Sequence, residues 1–153
     1  MIDCFGMYKF SEDEIEEMYN KIKLPTRATS GSAGYDFCCP VDIELEPNES
    51  VKFPTGIRCR MNEGWVLMMF PRSGLGFKYY ARFANTAAVI DSDYYYSDNE
   101  GQIMAKIRNE GRRNMSLKAG DRFCQGIFLP FGITDFDNAT SKRNGGFGST
   151  GKG

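Results

Sequence analysis

The sequence predicts an all-β domain with one helix near its N-terminus and a glycine-rich arm at its C-terminus. From Ser30 onward, short apolar or alternating runs are separated by glycine, proline and asparagine, which is typical of strands joined by tight turns. The tripeptide Asn-Glu-Gly occurs three times, each time beside a strand-like run. Only residues 11–22 carry a convincing helical repeat. Strands at this spacing indicate an all-β barrel or a double-sheet sandwich.

The predicted helix covers residues 11–22. Ser11 and Glu14 form an S-x-x-E capping box, which satisfies free backbone groups at a helix start. The apolar residues that recur at helical spacing behind this box are Ile15, Met18, Tyr19 and Ile22.

The predicted strands follow as short runs. An alternating run ends at Leu45, Pro47-Asn48-Glu49 predicts a turn, and a second apolar run ends at Phe53 before another turn signal at residues 54–56. The three Asn-Glu-Gly turns then lie beside residues 65–70, residues 103–107 and the segment leading to Phe123.

Length and composition limit the functions that the chain can perform. Its 153 residues suffice for one domain with a substantial core. No apolar run approaches the roughly 20 residues of a membrane helix, and the N-terminus lacks the pattern of a signal peptide, so we expect a cytoplasmic protein. The net charge of -1 argues against a general nucleic-acid surface, and a polyanion would have to bind locally.

The chain contains no histidine, which excludes Ser-His-Asp and Cys-His catalysis and histidine-ligated metal centres. Catalysis would have to use carboxylates, Tyr, Lys or Cys, with Mg²⁺ as the expected inorganic helper. Five cysteines without a C-x-x-C pattern predict reduced thiols.

The chain ends in GGFGSTGKG, which resembles a phosphate-binding P-loop but lacks the Ser or Thr after the lysine and the helix that a P-loop requires. Successive backbone N–H groups of such a stretch can still cradle a phosphate. Hydrophobic patterning is lost after residue 138. We therefore expect a β domain at 1–138 followed by a flexible arm at 139–153.

Asp91 and Asp93 follow an apolar run and stand two residues apart. On a strand, this spacing places both carboxylates on one face. A carboxylate held near a water can act as a general base.

Five short stretches combine glycine, charge and compact polar groups where strand patterning breaks. They are Ala33–Phe37 (AGYDF), Pro71–Gly76 (PRSGLG), Ala88–Tyr94 (AVIDSDY), Gly120–Gln125 (GDRFCQ) and Arg143–Gly151 (RNGGFGSTG). In this order and at these intervals they resemble the five motifs of the trimeric dUTPases. The resemblance extends from about Leu24 to Gly151.

This resemblance implies a distorted jelly-roll-like β-barrel and a homotrimer whose active sites are shared between subunits. It also implies Mg²⁺-dependent hydrolysis of dUTP to dUMP and pyrophosphate, which limits uracil incorporation into DNA and supplies dUMP. By motif position, Asp91 is the general base and Asp36 holds the metal through water, while Asp93 supports the turn.

The resemblance assigns the remaining site residues to the substrate. Arg72, Ser73, Gly74 and Gln125 would contact phosphates, and Arg143 would clamp the γ-phosphate. Asn85 and the backbone up to Ile90 would form the uracil pocket, with Tyr94 against the sugar. On the arm, Phe147 would stack on uracil beside Gly148, Ser149 and Thr150.

The sequence departs from the family pattern at three places. Ala88 replaces the usual glycine before Val-Ile-Asp, and Tyr95–Glu100 stand where the commonest pattern has one residue. The fifth motif is one residue shorter between Arg143 and Phe147 than is usual.

Two alternatives stay open at this stage. A dCTP-deaminase-like enzyme shares the fold and a PRSG-like motif, although its chemistry needs a glutamate base. A nucleotide-gated protein-interaction module would use dUTP binding to order the arm and recruit a partner, with the insertion at residues 95–99 and the N-terminal helix as its candidate surface.

Overall fold

The computed structural model describes residues 11–143, apart from the side chains of Glu12, Ile15 and Met18. Within this range the chain is mostly β-strand, which confirms the all-β prediction. The strands are Thr26–Arg27 (β1), Tyr35–Cys38 (β2), Ile43–Leu45 (β3), Ser50–Arg58 (β4), Trp65–Pro71 (β5), Arg82–Phe83 (β6), Ala88–Ile90 (β7), Gln102–Arg108 (β8), Met115–Leu117 (β9) and Arg122–Pro130 (β10).

Helix α1 spans Glu12–Lys21 and begins at the predicted capping box. The Ser11 hydroxyl accepts from the Glu14 backbone N–H at 3.3 Å, and the Ser11 backbone N–H donates to the Glu14 carboxylate at 2.7 Å. The backbone bond to Ser11 lowers the pKa of Glu14. The structure adds a second helix, α2 at Ser73–Tyr79, and a 3₁₀ helix at Ser92–Tyr96, which the sequence did not predict.

The strands form three antiparallel groups. The largest sheet has the order β1-β2-β10-β5-β7, a second has the order β4-β8-β6, and β3 pairs with β9. Apolar residues alternate inward along the longest strands, as in β4, where every second residue is buried. Phe53, Phe83 and Phe123 meet edge to face in the core between the sheets.

The turn predicted at residues 54–56 is wrong, because these residues continue β4. Gly56 adopts a positive φ of 72°, and the register with β8 shifts between Pro54 and Arg58. This is a bulge, which glycine tolerates because it has no side chain. Thr55 closes the bulge by donating its hydroxyl to the Ile103 carbonyl at 2.8 Å.

Two of the three Asn-Glu-Gly turns end in a glycine with positive φ, Gly64 at 80° and Gly101 at 71°. Each precedes a long strand, as predicted. No helix among residues 11–143 has the length and apolar character needed to cross a membrane.

Candidate active site

Three of the five sequence motifs meet on neighbouring strands of the large sheet. β10 lies between β2 and β5, and Gln125 is the register partner of both Asp36 and Phe70. A side chain at Gly34 would place its Cβ 2.6 Å from the Gln125 amide oxygen. The first and fourth motifs therefore approach closely here, and any larger residue at position 34 would displace the Gln125 side chain.

The Asp36 carboxylate is the centre of this group. Arg72 Nε lies 3.3 Å from one of its oxygens and Arg122 Nη1 lies 3.0 Å from the other. Only 11% of the Asp36 side chain is exposed, so the two guanidiniums offset a charge that is costly to bury. With both arginines present, this group carries a net positive charge and suits a polyanion. We call Asp36, Arg72, Arg122 and Gln125 the phosphate-side cluster.

Arg122 is a member of this cluster that sequence reasoning did not assign. It stands in the same stretch as Gln125, and that proximity was the available signal. The neighbouring Cys124 is fully buried, and burial raises the pKa of its thiol well above the ordinary value. Cys124 therefore stays a neutral thiol and is not a nucleophile.

Ser73 and Gly74 begin α2 directly after Arg72. The Arg72 carbonyl accepts from the backbone N–H groups of Leu75 and Gly76, both at 3.0 Å. Ser73 is exposed, and a Cβ built on Gly74 meets no heavy atom within 4 Å. The first turn of α2 thus faces open space beside the phosphate-side cluster.

The loop between β6 and β7, which belong to different sheets, holds the residues predicted for base recognition. Asn85 is exposed at its tip, and its carbonyl accepts from the Ala87 N–H at 2.8 Å. Thr86 adopts a positive φ of 68°. β7 is the last strand of its sheet, so one side of its backbone points away from β5 and is available to a ligand. Ile90 is buried and anchors the strand.

Asp91 and Asp93 lie on a 3₁₀ helix, which corrects the prediction of a strand. β7 ends at Ile90, and Asp91 is the N-cap residue of the 3₁₀ helix. The carboxylates nevertheless converge, because Arg143 pairs with both, at 2.8 Å for Asp93. The Asp91 side chain remains 46% exposed. We call Asp91, Asp93 and Arg143 the carboxylate-side cluster.

Tyr94 is buried beside these carboxylates, with 7% of its surface exposed. Its hydroxyl donates to the Gln102 carbonyl at 2.9 Å and accepts from the Asn99 amide at 2.9 Å. The Ser97 hydroxyl donates to the Tyr94 carbonyl at 2.7 Å, and it also lies 2.7 Å from the Asn99 side-chain oxygen. The inserted residues 95–100 therefore fold back on Tyr94 as one bonded unit.

Arg58 attaches this insertion to β4 and was also missed by sequence reasoning. Its Nη2 donates to the Tyr95 carbonyl at 2.8 Å, and its guanidinium lies 3.7 Å from the centre of the Tyr95 ring. On the other side, a Cβ at Gly101 would lie 2.6 Å from the Tyr95 carbonyl oxygen. No sequence signal connected Arg58 to residues 37 positions away.

The two clusters lie at opposite ends of β5. β7 runs antiparallel to β5 with Ile90 opposite Leu67, whereas Arg72 directly follows the other end of β5. Arg72 stands five positions after Leu67, which at about 3.4 Å per residue is roughly 17 Å. One chain therefore does not bring Asp91 to Arg72. The predicted residues Phe147, Gly148, Ser149 and Thr150 lie outside the described residues.

Comparison with known proteins identifies the family. A family model described as dUTPase matches residues 20–151. The deoxyuridine 5'-triphosphate nucleotidohydrolase of Lactococcus lactis subsp. lactis is 40% identical over 133 residues, covering 85% of this chain and 89% of the relative. The enzyme of the same name from Escherichia coli O45:K1 is 39% identical over 137 residues, covering 84% of this chain and 87% of the relative.

Solved structures agree with the sequence matches. The dUTPase crystal structure from Streptococcus mutans superposes with a TM-score of 0.67 at 39% identity, covering 73% of this chain and 88% of that chain. A mutant dUTPase of phage phi11 of S. aureus, described with a coordinated structural Mg(II) ion, has a TM-score of 0.67 at 18% identity, with 82% and 94% coverage, and at that identity it shows the fold alone. From the family match and these relatives, the chain belongs to the dUTPase family.

Proposed function

We propose that the chain hydrolyses dUTP to dUMP and pyrophosphate, with water attacking the α-phosphorus. The observation that carries this proposal is the half-exposed Asp91 carboxylate, fixed at the end of an edge strand in a chain of the dUTPase family. The relatives in Lactococcus and E. coli bear the name of this activity. The absence of histidine leaves a carboxylate as the natural general base.

The loop between β6 and β7, together with β7, is the proposed uracil pocket. Asn85 supplies an exposed amide, and the free side of β7 supplies backbone donors and acceptors as far as Ile90. Tyr94 forms a rigid floor for the sugar, because its hydroxyl is already bonded within the chain. Asp91 stands three positions before Tyr94 and would take the proton of the attacking water.

The phosphate-side cluster is the proposed triphosphate site. Ser73 is exposed and Gly74 borders open space next to the positively charged cluster that contains Arg72 and Gln125. Phosphoryl transfer depends mainly on positioning and on neutralising charge, which is what these residues supply. Arg143 would contact the γ-phosphate. Phe147, Gly148, Ser149 and Thr150 would close over the base and phosphates.

Mg²⁺ fits this site as an ion that enters with the triphosphate. Among residues 11–143, no three Cys, Asp or Glu side chains are arranged to hold a metal, and Asp36 is already engaged by two arginines. Mg²⁺ keeps several waters and binds readily through substrate phosphates. Asp36 would therefore contact a water of the ion, and the bound ion would offset phosphate charge.

The separation of the two clusters supports a homotrimer with shared sites. Asp91 and Arg72 lie at opposite ends of β5 in one chain, yet both must act on one nucleotide. A second copy supplies the missing cluster if the copies are arranged in a closed ring. A homotrimer is the arrangement that the family resemblance implies.

Pyrophosphate release by the purified chain tests the proposal. We expect rapid release from dUTP with Mg²⁺, weak release from UTP, and less from dCTP or dTTP, because a hydrogen-bonded base pocket discriminates more sharply than a sugar floor. Truncation after Ala139 should abolish the activity. No release from any nucleotide by folded protein would reject the proposal, and ammonia from dCTP would favour deamination.

A further inference from the structure

A cleft lies at the C-terminal end of α2. It has a volume of about 700 Å³ and is formed by the end of α2 and the loop after β8. Its side chains comprise two aromatic rings, three cations and one acid, namely Phe77, Tyr80, Lys78, Arg112, Arg113 and Glu110. Its first lining residue, Phe77, stands four residues after Ser73, a rise of about 6 Å along the helix.

The acid in this cleft is already neutralised. Arg82 donates to the Glu110 carboxylate through Nε at 2.8 Å and through Nη2, and Arg108 Nε lies 3.9 Å from the other oxygen. Glu110 is the only acidic residue among those that line the cleft. Its three lining cations therefore add to a positive field that Glu110 does not cancel.

Positive charge continues from the cleft along the adjoining sheet. Arg82 lies directly opposite Arg108, and Lys52 lies directly opposite Lys106 on the next outward rung. Glu110 accompanies the Arg82–Arg108 rung, which leaves one net positive charge there. The rungs are two residues, or about 7 Å, apart.

The aromatic rings are presented to solvent. Phe77 is 88% exposed and Tyr80 is 68% exposed, and both line the cleft. Tyr80 holds a positive φ of 50° as the C-cap, an unfavourable conformation for a bulky residue. A Cβ at Gly111 would lie 2.7 Å from the Tyr79 carbonyl oxygen, so the loop packs directly against the helix end.

We propose that this cleft binds single-stranded nucleic acid. Its phosphates would contact Lys78, Arg112 and Arg113, and an unpaired base would stack on Phe77 or Tyr80. Stacking requires exposed bases and so excludes a duplex. Three lining cations can contact several phosphates, which favours a strand over a single nucleotide. The net charge of -1 does not oppose this, because the cations are concentrated locally.

Fluorescence anisotropy with a labelled twelve-nucleotide oligothymidylate tests the inference on the full chain. Contacts to three phosphates predict a roughly 20-fold loss of affinity between 50 and 200 mM salt. Phe77→Ala/Tyr80→Ala should weaken binding by about 5-fold or more, and Arg112→Ala/Arg113→Ala should weaken it and flatten the salt dependence. Binding should persist in excess dUMP, so the result is independent of the proposed dUTP site.

Matched controls are Phe136→Ala, another highly exposed phenylalanine, and Arg60→Ala/Lys23→Ala, two exposed cations that do not line the cleft. Both should bind as the unaltered chain does. Absence of binding at 50 mM salt would overturn the inference. So would equal binding of a duplex, full competition by equimolar ATP, or equal losses in the control variants.

Discussion

Arg143 forms an ion pair with Asp91, and the same guanidinium bonds to Asp93. The side chain proposed for the γ-phosphate is thus paired with one oxygen of the proposed general base. A bound triphosphate would compete with Asp91 for Arg143.

Arg143→Ala should therefore lower kcat/KM for dUTP and leave the affinity for dUMP unchanged. Loss of a charge-assisted bond of about 1.5–3 kcal/mol corresponds to a loss in kcat/KM for dUTP of roughly 10- to 150-fold. Steady-state kinetics and calorimetric dUMP binding would measure the two effects, with Lys142→Ala as the neighbouring control. An equal loss of dUMP affinity would contradict a role at the γ-phosphate.

Asp91→Asn should remove the base while keeping the shape of the site. We expect kcat to fall by about 10²- to 10⁴-fold, with dUTP binding largely retained. Asp93→Asn is the matched control, because Asp93 shares the contact with Arg143 but has no assigned role in proton transfer. If the two substitutions reduced kcat equally, Asp91 would not be the base.

Mixing two inactive variants should restore activity if the site is shared. Asp91→Asn and Arg72→Ala each damage a different cluster, so random reassembly of equal amounts creates intact sites in about one quarter of positions. Pyrophosphate release after joint refolding measures this fraction. A site contained within one chain predicts no recovery, and the separately refolded variants give the background rate.

Arg58→Ala should loosen the inserted unit and, through it, the 3₁₀ helix that carries Asp91. Loss of the cation–π contact predicts a destabilisation of about 1 kcal/mol. We expect kcat to fall roughly 10-fold or more, because small misplacements of catalytic groups are costly, while KM changes less. Arg58→Lys should recover part of kcat. The exposed neighbour Arg60→Ala is the control, and a KM effect without a kcat effect would argue against positioning.

Cys39 should make stability fall at alkaline pH. Burial raises the pKa of its thiol from 9.0 to about 12. Between these values the unfolded chain loses a proton that the folded chain keeps, so the free energy of unfolding decreases as pH rises. Compared with Cys39→Ala, the unaltered chain should lose about 1.4 kcal/mol per pH unit in this window. Urea unfolding from pH 8 to 10.5 would test this, and parallel curves for the two proteins would refute it.

The sequence predicted those parts of the fold that depend on neighbouring residues. The capping box at Ser11 and the strands beside Gly64 and Gly101 depend on local patterns and were found where expected. The bulge at Gly56 looked like a turn, because both use glycine with positive φ. The helix after Arg72 carries two glycines, which hid its helical character.

The site was predicted as a set of residues but not as an arrangement. Motif order could identify Asp36 and Gln125, which the sheet brings together. It could not reveal that β5 separates Asp91 from Arg72, because that distance depends on strand register. Arg58 and Arg122 act through contacts distant in sequence, for which a single chain gives no pattern.

The bonded unit at residues 95–100 bears on how this loop can change in length during evolution. Tyr94, Ser97, Asn99 and Gln102 form bonds that depend on one another, and Gly101 touches the Tyr95 backbone. Deleting one or two residues would break several bonds at once and displace the segment that carries Asp91. The loop should therefore be gained or lost as a whole, and homologues with intermediate lengths should be rare.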